Sequence, residues 1–70
     1  MVIPAFKFRI EFTRPDESDV SVEEEVYRVE STEDLYGIYR VAYTRYESFL
    51  KFMRGSRYKI VKGCFQRIEV

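Results

Sequence analysis

Residues 6–12 read Phe6-Lys7-Phe8-Arg9-Ile10-Glu11-Phe12, an alternation of apolar and charged side chains without a fault. Period-two alternation is the pattern of a strand with one face on a core and the other on water. Phe6, Phe8, Ile10 and Phe12 are assigned to the core, and Lys7, Arg9 and Glu11 to the open face. One strand cannot bury four such side chains by itself, so the rest of the chain must supply a covering layer.

That layer is the segment Ser31–Arg54, which reads as a helix of roughly 24 residues, about 36 Å long. Ser31, with Asp34 three residues on, suits an N-cap, and Glu33 and Asp34 suit the positive end of the macrodipole. Lys51 and Arg54 suit the other end, and Gly55 stands where a left-handed residue commonly ends a helix. Gly37 weakens the first turn. The length leaves one end of the helix projecting past a sheet of ordinary size.

Between strand and helix, Thr13–Asp19 is polar, holds Pro15 followed by Asp16, and reads as the loop of a long hairpin. Val20–Glu30 is ambiguous. Val22, Val26 and Val29 fit a helical spacing, and Ser21-x-x-Glu24 has the form of a capping box. Four valines, one tyrosine and a hairpin-distant strand favour a second strand. Its alternation slips between Val22 and Tyr27, which predicts a bulge near Glu24–Val26. After the helix, Tyr58–Val61 reads as a third strand. Gly63 marks a bulge, bend or turn, and Cys64–Glu69 either continues that strand or returns as a fourth. The expected fold is α+β: a two-layer sandwich in which a three- or four-stranded, mostly antiparallel sheet of order β-β-α-β, with one optional further strand, packs on one long helix. Residues 1–70 form a single small α+β domain.

The helix is too apolar for one sheet. At about 100° per residue, Leu35, Tyr39, Ala42, Tyr46, Phe49 and Met53 make the core stripe, flanked by Ile38 and Leu50. Val41, Arg45, Ser48 and Phe52 lie to one side, and Tyr36 and Tyr43 on the other edge. The apolar and aromatic arc spans roughly 200°, well beyond the stripe a surface helix needs. Either the sheet curls over Val41 and Phe52, or these residues meet another chain. Ile38, Val41, Arg45 and Phe52 are the candidate protein interface, with Tyr36 and Tyr43 as a second candidate surface.

Charge divides the chain in half. Residues 1–35 carry four basic and ten acidic side chains, about −6, and residues 36–70 carry eight basic and two acidic, about +6. Lys7 and Arg9 opposite Glu23 or Glu25 across the hairpin would cancel part of this within the fold, as would Lys59 or Lys62 on the last strand. Left over are a basic patch at Lys51–Lys59 and an acidic loop at Asp16–Asp19. These fall at opposite ends of the sheet only if the hairpin loop points away from the helix C-terminus. Arg40, Lys51, Arg54, Arg57 and Lys59, interleaved with tyrosines, are the candidate contacts for the alternative function, nucleic-acid binding.

Chemistry is poorly represented. The chain has no His and one Cys, Cys64. The commonest general base is absent, no disulfide forms within the chain, and a protein-only metal site would need carboxylates in a pattern that is not present. Gly37, Gly55 and Gly63 are too far apart for a phosphate loop. No enzyme, cofactor or metal is expected. A lone Cys without a signal segment points to the cytoplasm, and no apolar run approaches a membrane span. The expected function is a small non-enzymatic protein-interaction module, homodimeric or an accessory or regulatory subunit of the kind phages and mobile elements encode.

Overall fold

The structure, a computed structural model, describes residues 2–70. Its elements run β1 (Pro4–Thr13), β2 (Val20–Arg28), a 3-10 turn (Thr32–Asp34), α1 (Leu35–Gly55) and β3 (Lys59–Glu69). The strands form one antiparallel sheet in the order β2-β1-β3, and α1 packs on one face of it. This is the α+β sandwich expected, with three strands and β3 continuous across Gly63.

β1 is central because its alternation serves both layers. Phe8 and Ile10 are fully buried, and Phe6 and Phe12 nearly so. Phe8, Ile10 and Phe12 join Met53, with Tyr46, Phe49, Leu50, Tyr58, Ile60 and Phe65 packed around them. Phe6 joins Ala42 and Val29, with Leu35 and Ile38 beside them. The core stripe on α1 is thus the one helical phase selects, except that Tyr39 is 38% exposed at its edge. At 21 residues, α1 is about 31 Å long. The 9–11-residue strands extend about 30–37 Å. The helix therefore matches the sheet and does not project beyond it.

Three local expectations are corrected. The bulge is not in β2, which pairs with β1 without a register shift from Arg28 opposite Ala5 to Val20 opposite Thr13. It is in β3, where Glu11 faces Lys62 and Phe12 faces Ile60, leaving Val61 unpaired with β1. β2 alternates regularly, but its valines face the open side of the sheet. Val20, Val22 and Val26 are exposed, while Ser21, Glu23, Glu25 and Tyr27 lie half-buried on the helix side. The apparent slip came from assuming that the valines faced the core.

The cap of α1 closes two residues beyond Gly55. Arg57 N–H donates to Arg54 O at 3.2 Å and Tyr58 N–H to Met53 O at 2.8 Å, the paired bonds of a Schellman motif. The left-handed residue that closes it is Arg57, at φ 65°. Gly55 is inside the helix, where an added Cβ would meet nothing within 4 Å. Gly55→Ala and Arg57→Gly are each expected to raise stability by about 0.5–1 kcal/mol, read as a rise in the thermal unfolding midpoint. Ser31 caps the 3-10 turn, its Oγ accepting from Glu33 N–H at 3.4 Å. At the hairpin loop, Glu17 N–H donates to Arg14 O at 3.1 Å around Pro15 and Asp16. Asp16 has φ 65°, and Asp tolerates that region better than most residues.

Thr13 pairs with both Val20 and Lys59. The acidic loop and the basic turn after α1 therefore share one end of the sheet.

Candidate functional site

α1 sits over β1 and β3. Tyr46 and Phe49 pack on Phe8, each with ring centroids 5.6 Å away. Tyr39, Tyr43 and Tyr46 surround Phe65 of β3 at 5.7, 5.3 and 5.8 Å. One flank of the helix therefore leans on β3 and the other looks out over β2.

The β2-side flank carries the first candidate set. Val41 is 52% and Phe52 61% exposed, so the sheet does not curl over them. Arg45, Ser48, Phe49 and Phe52 line an open, mostly apolar depression, continued by Arg40, Val41, Thr44 and Arg45. Arg45 is held across it. Its Nη2 lies 3.3 Å from Glu25 Oε1, and its guanidinium carbon 5.8 Å from the Phe49 ring centroid. Glu25 in turn accepts a hydrogen bond from the Tyr27 hydroxyl. Phe52 meets the Tyr58 ring edge to face at 6.1 Å, and Tyr58 stacks on Phe12. Ile38 departs from the set: it is half-buried against Phe6, Val29 and Ala42 and belongs with the core.

The second candidate surface lies on the β3 side. Tyr36 is 69% exposed. Tyr36, Tyr39 and Tyr43 stack in succession, 6.4 and 5.9 Å apart, with Arg40 over the Tyr36 ring at 5.9 Å. Both edges of the helix thus hold exposed aromatic or apolar groups.

The basic set does not come together. Arg54, Arg57 and Lys59 surround the turn after α1 and Lys51 lies a turn earlier, but Arg40 is four turns from that end. Asp16, Glu17 and Asp19 occupy the same end of the sheet, so a phosphate chain there would meet both signs of charge.

Pairing within the sheet uses a different partner from those expected. Lys7 and Arg9 lie on the open face, and the glutamate that shares it is Glu24. Lys7 Nζ is 2.7 Å and Arg9 Nη1 2.9 Å from its carboxylate. Glu23 and Glu25 alternate onto the helix side. Hydrogen bonding to Lys7 leads the effects that hold the Glu24 carboxyl below its ordinary value of 4.5. Exposed pairs of this kind contribute little to stability, because solvent screens them.

Three tyrosines are shifted the other way. Burial raises Tyr27 and Tyr46, and the charge of Glu47 raises Tyr43, all above the ordinary value of 10.0. Groups whose protonated form is favoured by folding stabilise the fold below their ordinary value and cease to as pH rises through the folded value. Stability is therefore expected to hold up to pH near 10.0 and fall above it, with phenolate absorbance and loss of circular dichroism rising together.

Cys64 lies opposite Arg9 on the open face, half-buried in a groove with Lys7, Glu11, Lys62 and Gln66. Among the described residues no cluster of Cys, Asp and Glu is placed to hold a metal ion. No helix is long and apolar enough to cross a membrane. Comparison with protein-family models, curated proteins and solved structures finds no match to this chain.

Proposed function

We propose that this chain is a small non-enzymatic protein-interaction module, acting as a homodimer or as an accessory or regulatory subunit in the cytoplasm. The observation that carries it is the flank of α1, where Phe52 and Val41 stay 61% and 52% exposed although the adjoining face of the same helix builds the core. Burying two such side chains contributes roughly 3–6 kcal/mol. For 70 residues, total stability is about 3.5–10 kcal/mol, so the flank is a large unspent fraction of what holds the fold. Arg45 suits an interface for the same reason: a planar cation already lying on an aromatic ring loses little freedom on contact.

Sedimentation of Phe52→Glu beside the wild type tests this. The wild type is expected to associate at tens of micromolar, and Phe52→Glu to sediment as a folded monomer whose unfolding midpoint, unlike that of the wild type, does not rise with concentration. Two monomers would sink self-association through this flank.

A further inference from the structure

α1 packs over β1 and β3 and reaches β2 only through Arg45 on Glu25 and the core around Tyr27, so the helix-side residues of β2 stay half-buried. Ser21, Glu23 and Glu25 line this half-covered strip, opposite Phe12, Ile10 and Phe8. Among the described residues the ion pairs use Glu11, Glu24 and Glu25, and Glu23 enters none of them. The strip is acidic: it carries Glu23 and Glu25, of which Glu25 is paired with Arg45, while Glu24 and Arg28 lie on the opposite face. The helix beside it is basic, with Arg40, Arg45, Lys51 and Arg54 against Glu47 alone. One helix is about 10 Å wide, whereas three strands span about 14 Å, so the half-covered strip is the part of the sheet one helix does not fully reach.

We propose that a second copy of this chain covers it reciprocally, each α1 laying its Val41–Phe52 flank beside the other's and its basic side on the other's β2. This rests on the reading of that flank as a self-association surface and specifies its geometry. The occupant is a second copy because the two complementary surfaces, basic helix and acidic strand, sit side by side on one chain. A two-fold axis between them matches opposite charges twice, and such isologous contacts are the commonest way small chains pair. With the helices antiparallel and centred between Arg45 and Ser48, Val41 of one copy lies beside Phe52 of the other. Arg45 then faces Ser48 rather than another arginine. Thr44 and Ser48, both short, allow the helices to approach to about 8–10 Å. The opposite charges of the two halves of the chain then serve between copies as well as within one.

The test uses two charge-reversed full-length chains. Glu23→Lys reverses the strand surface, and Arg40→Glu with Lys51→Glu reverses the helix surface. Each alone is expected to weaken self-association about tenfold or more. Mixed in equal amounts they are expected to recover dimers, because helix and strand are then of opposite sign in both contacts. Recovery on mixing also shows that both variants are folded. Raising salt from roughly 0.05 to 0.5 M should weaken the wild-type dimer. A wild-type dimer that Phe52→Glu disrupts but both reversals leave intact overturns the β2 docking and keeps the flank. Variants that are singly monomeric and remain so when mixed also overturn it. A wild type that never associates overturns both.

Discussion

Phe8→Ala is expected to remove half or more of the protein's stability. Phe8 is fully buried at the middle of the central strand. Its ring meets Tyr46 and Phe49 from the helix and Tyr27 from β2, with centroids 5.6, 5.6 and 6.3 Å away. Truncating such a side chain costs about 3–5 kcal/mol, part of it lost transfer energy and part the cavity left behind. Three aromatic neighbours anchored on one strand and a helix cannot collapse into that space without moving their own elements. A domain of this size has about 3.5–10 kcal/mol to lose, and small chains sit low in that range. Urea unfolding followed by circular dichroism should show the midpoint at least halved. Phe52→Ala provides the contrast, since its exposed ring should change the monomer's stability by no more than about 0.5 kcal/mol. A Phe8→Ala cost below about 1 kcal/mol would mean that the core is not where the sheet register places it.

Gly63→Ala is expected to cost about 1–3 kcal/mol, and to cost almost nothing once Tyr46 is phenylalanine. Gly63 sits opposite Ile10 on the helix side of β3. A Cβ there would lie 2.5 Å from the Tyr46 hydroxyl oxygen, closer than any real contact. The ring cannot swing aside cheaply, because Phe8, Tyr43 and Phe65 surround it. Removing the hydroxyl in Tyr46→Phe opens the space that the new methyl group needs. The double-mutant cycle should therefore give a coupling of at least about 1 kcal/mol, as expected for groups in direct contact. Equal costs in the two backgrounds would show that Gly63 is needed for its backbone and not for the tyrosine above it.

Much of the fold was legible because β1 and α1 each obey one strong rule. The unbroken alternation of residues 6–12 could only be a half-buried strand, and the stripe from Leu35 to Met53 could only be its cover. β2 was harder, for a physical reason. As an edge strand half outside the helix's reach, it puts glutamates toward the layer interface and valines toward water, so hydrophobicity no longer reports which face is inside. The helix end was misplaced because a glycine signals only where a left-handed residue is easy. The chain instead uses Arg57, at some cost in backbone energy, and carries Gly55 within the last turn. Gly63 was noticed but misread, since nothing local announces a tyrosine seventeen residues earlier that needs its missing side chain. Of the candidate interface, Val41, Arg45 and Phe52 were legible from helical phase alone. Ile38 was not, because it lies near the boundary between stripe and flank, where a few degrees decide burial. Neither the half-covered strip of β2 nor the shared end of the acidic loop and basic turn was accessible before strand order was known.

The charge division between the halves of the chain thus has two uses. Inside one copy it joins Lys7 and Arg9 to Glu24, and Arg45 to Glu25. In the proposed dimer it matches the basic helix to the acidic strand. The molar mass of the wild type in solution tests the central claim most directly. At tens of micromolar and low salt, sedimentation equilibrium should give twice the 8.5 kDa of one chain. A mass that stays at that of a single chain up to several hundred micromolar would contradict it.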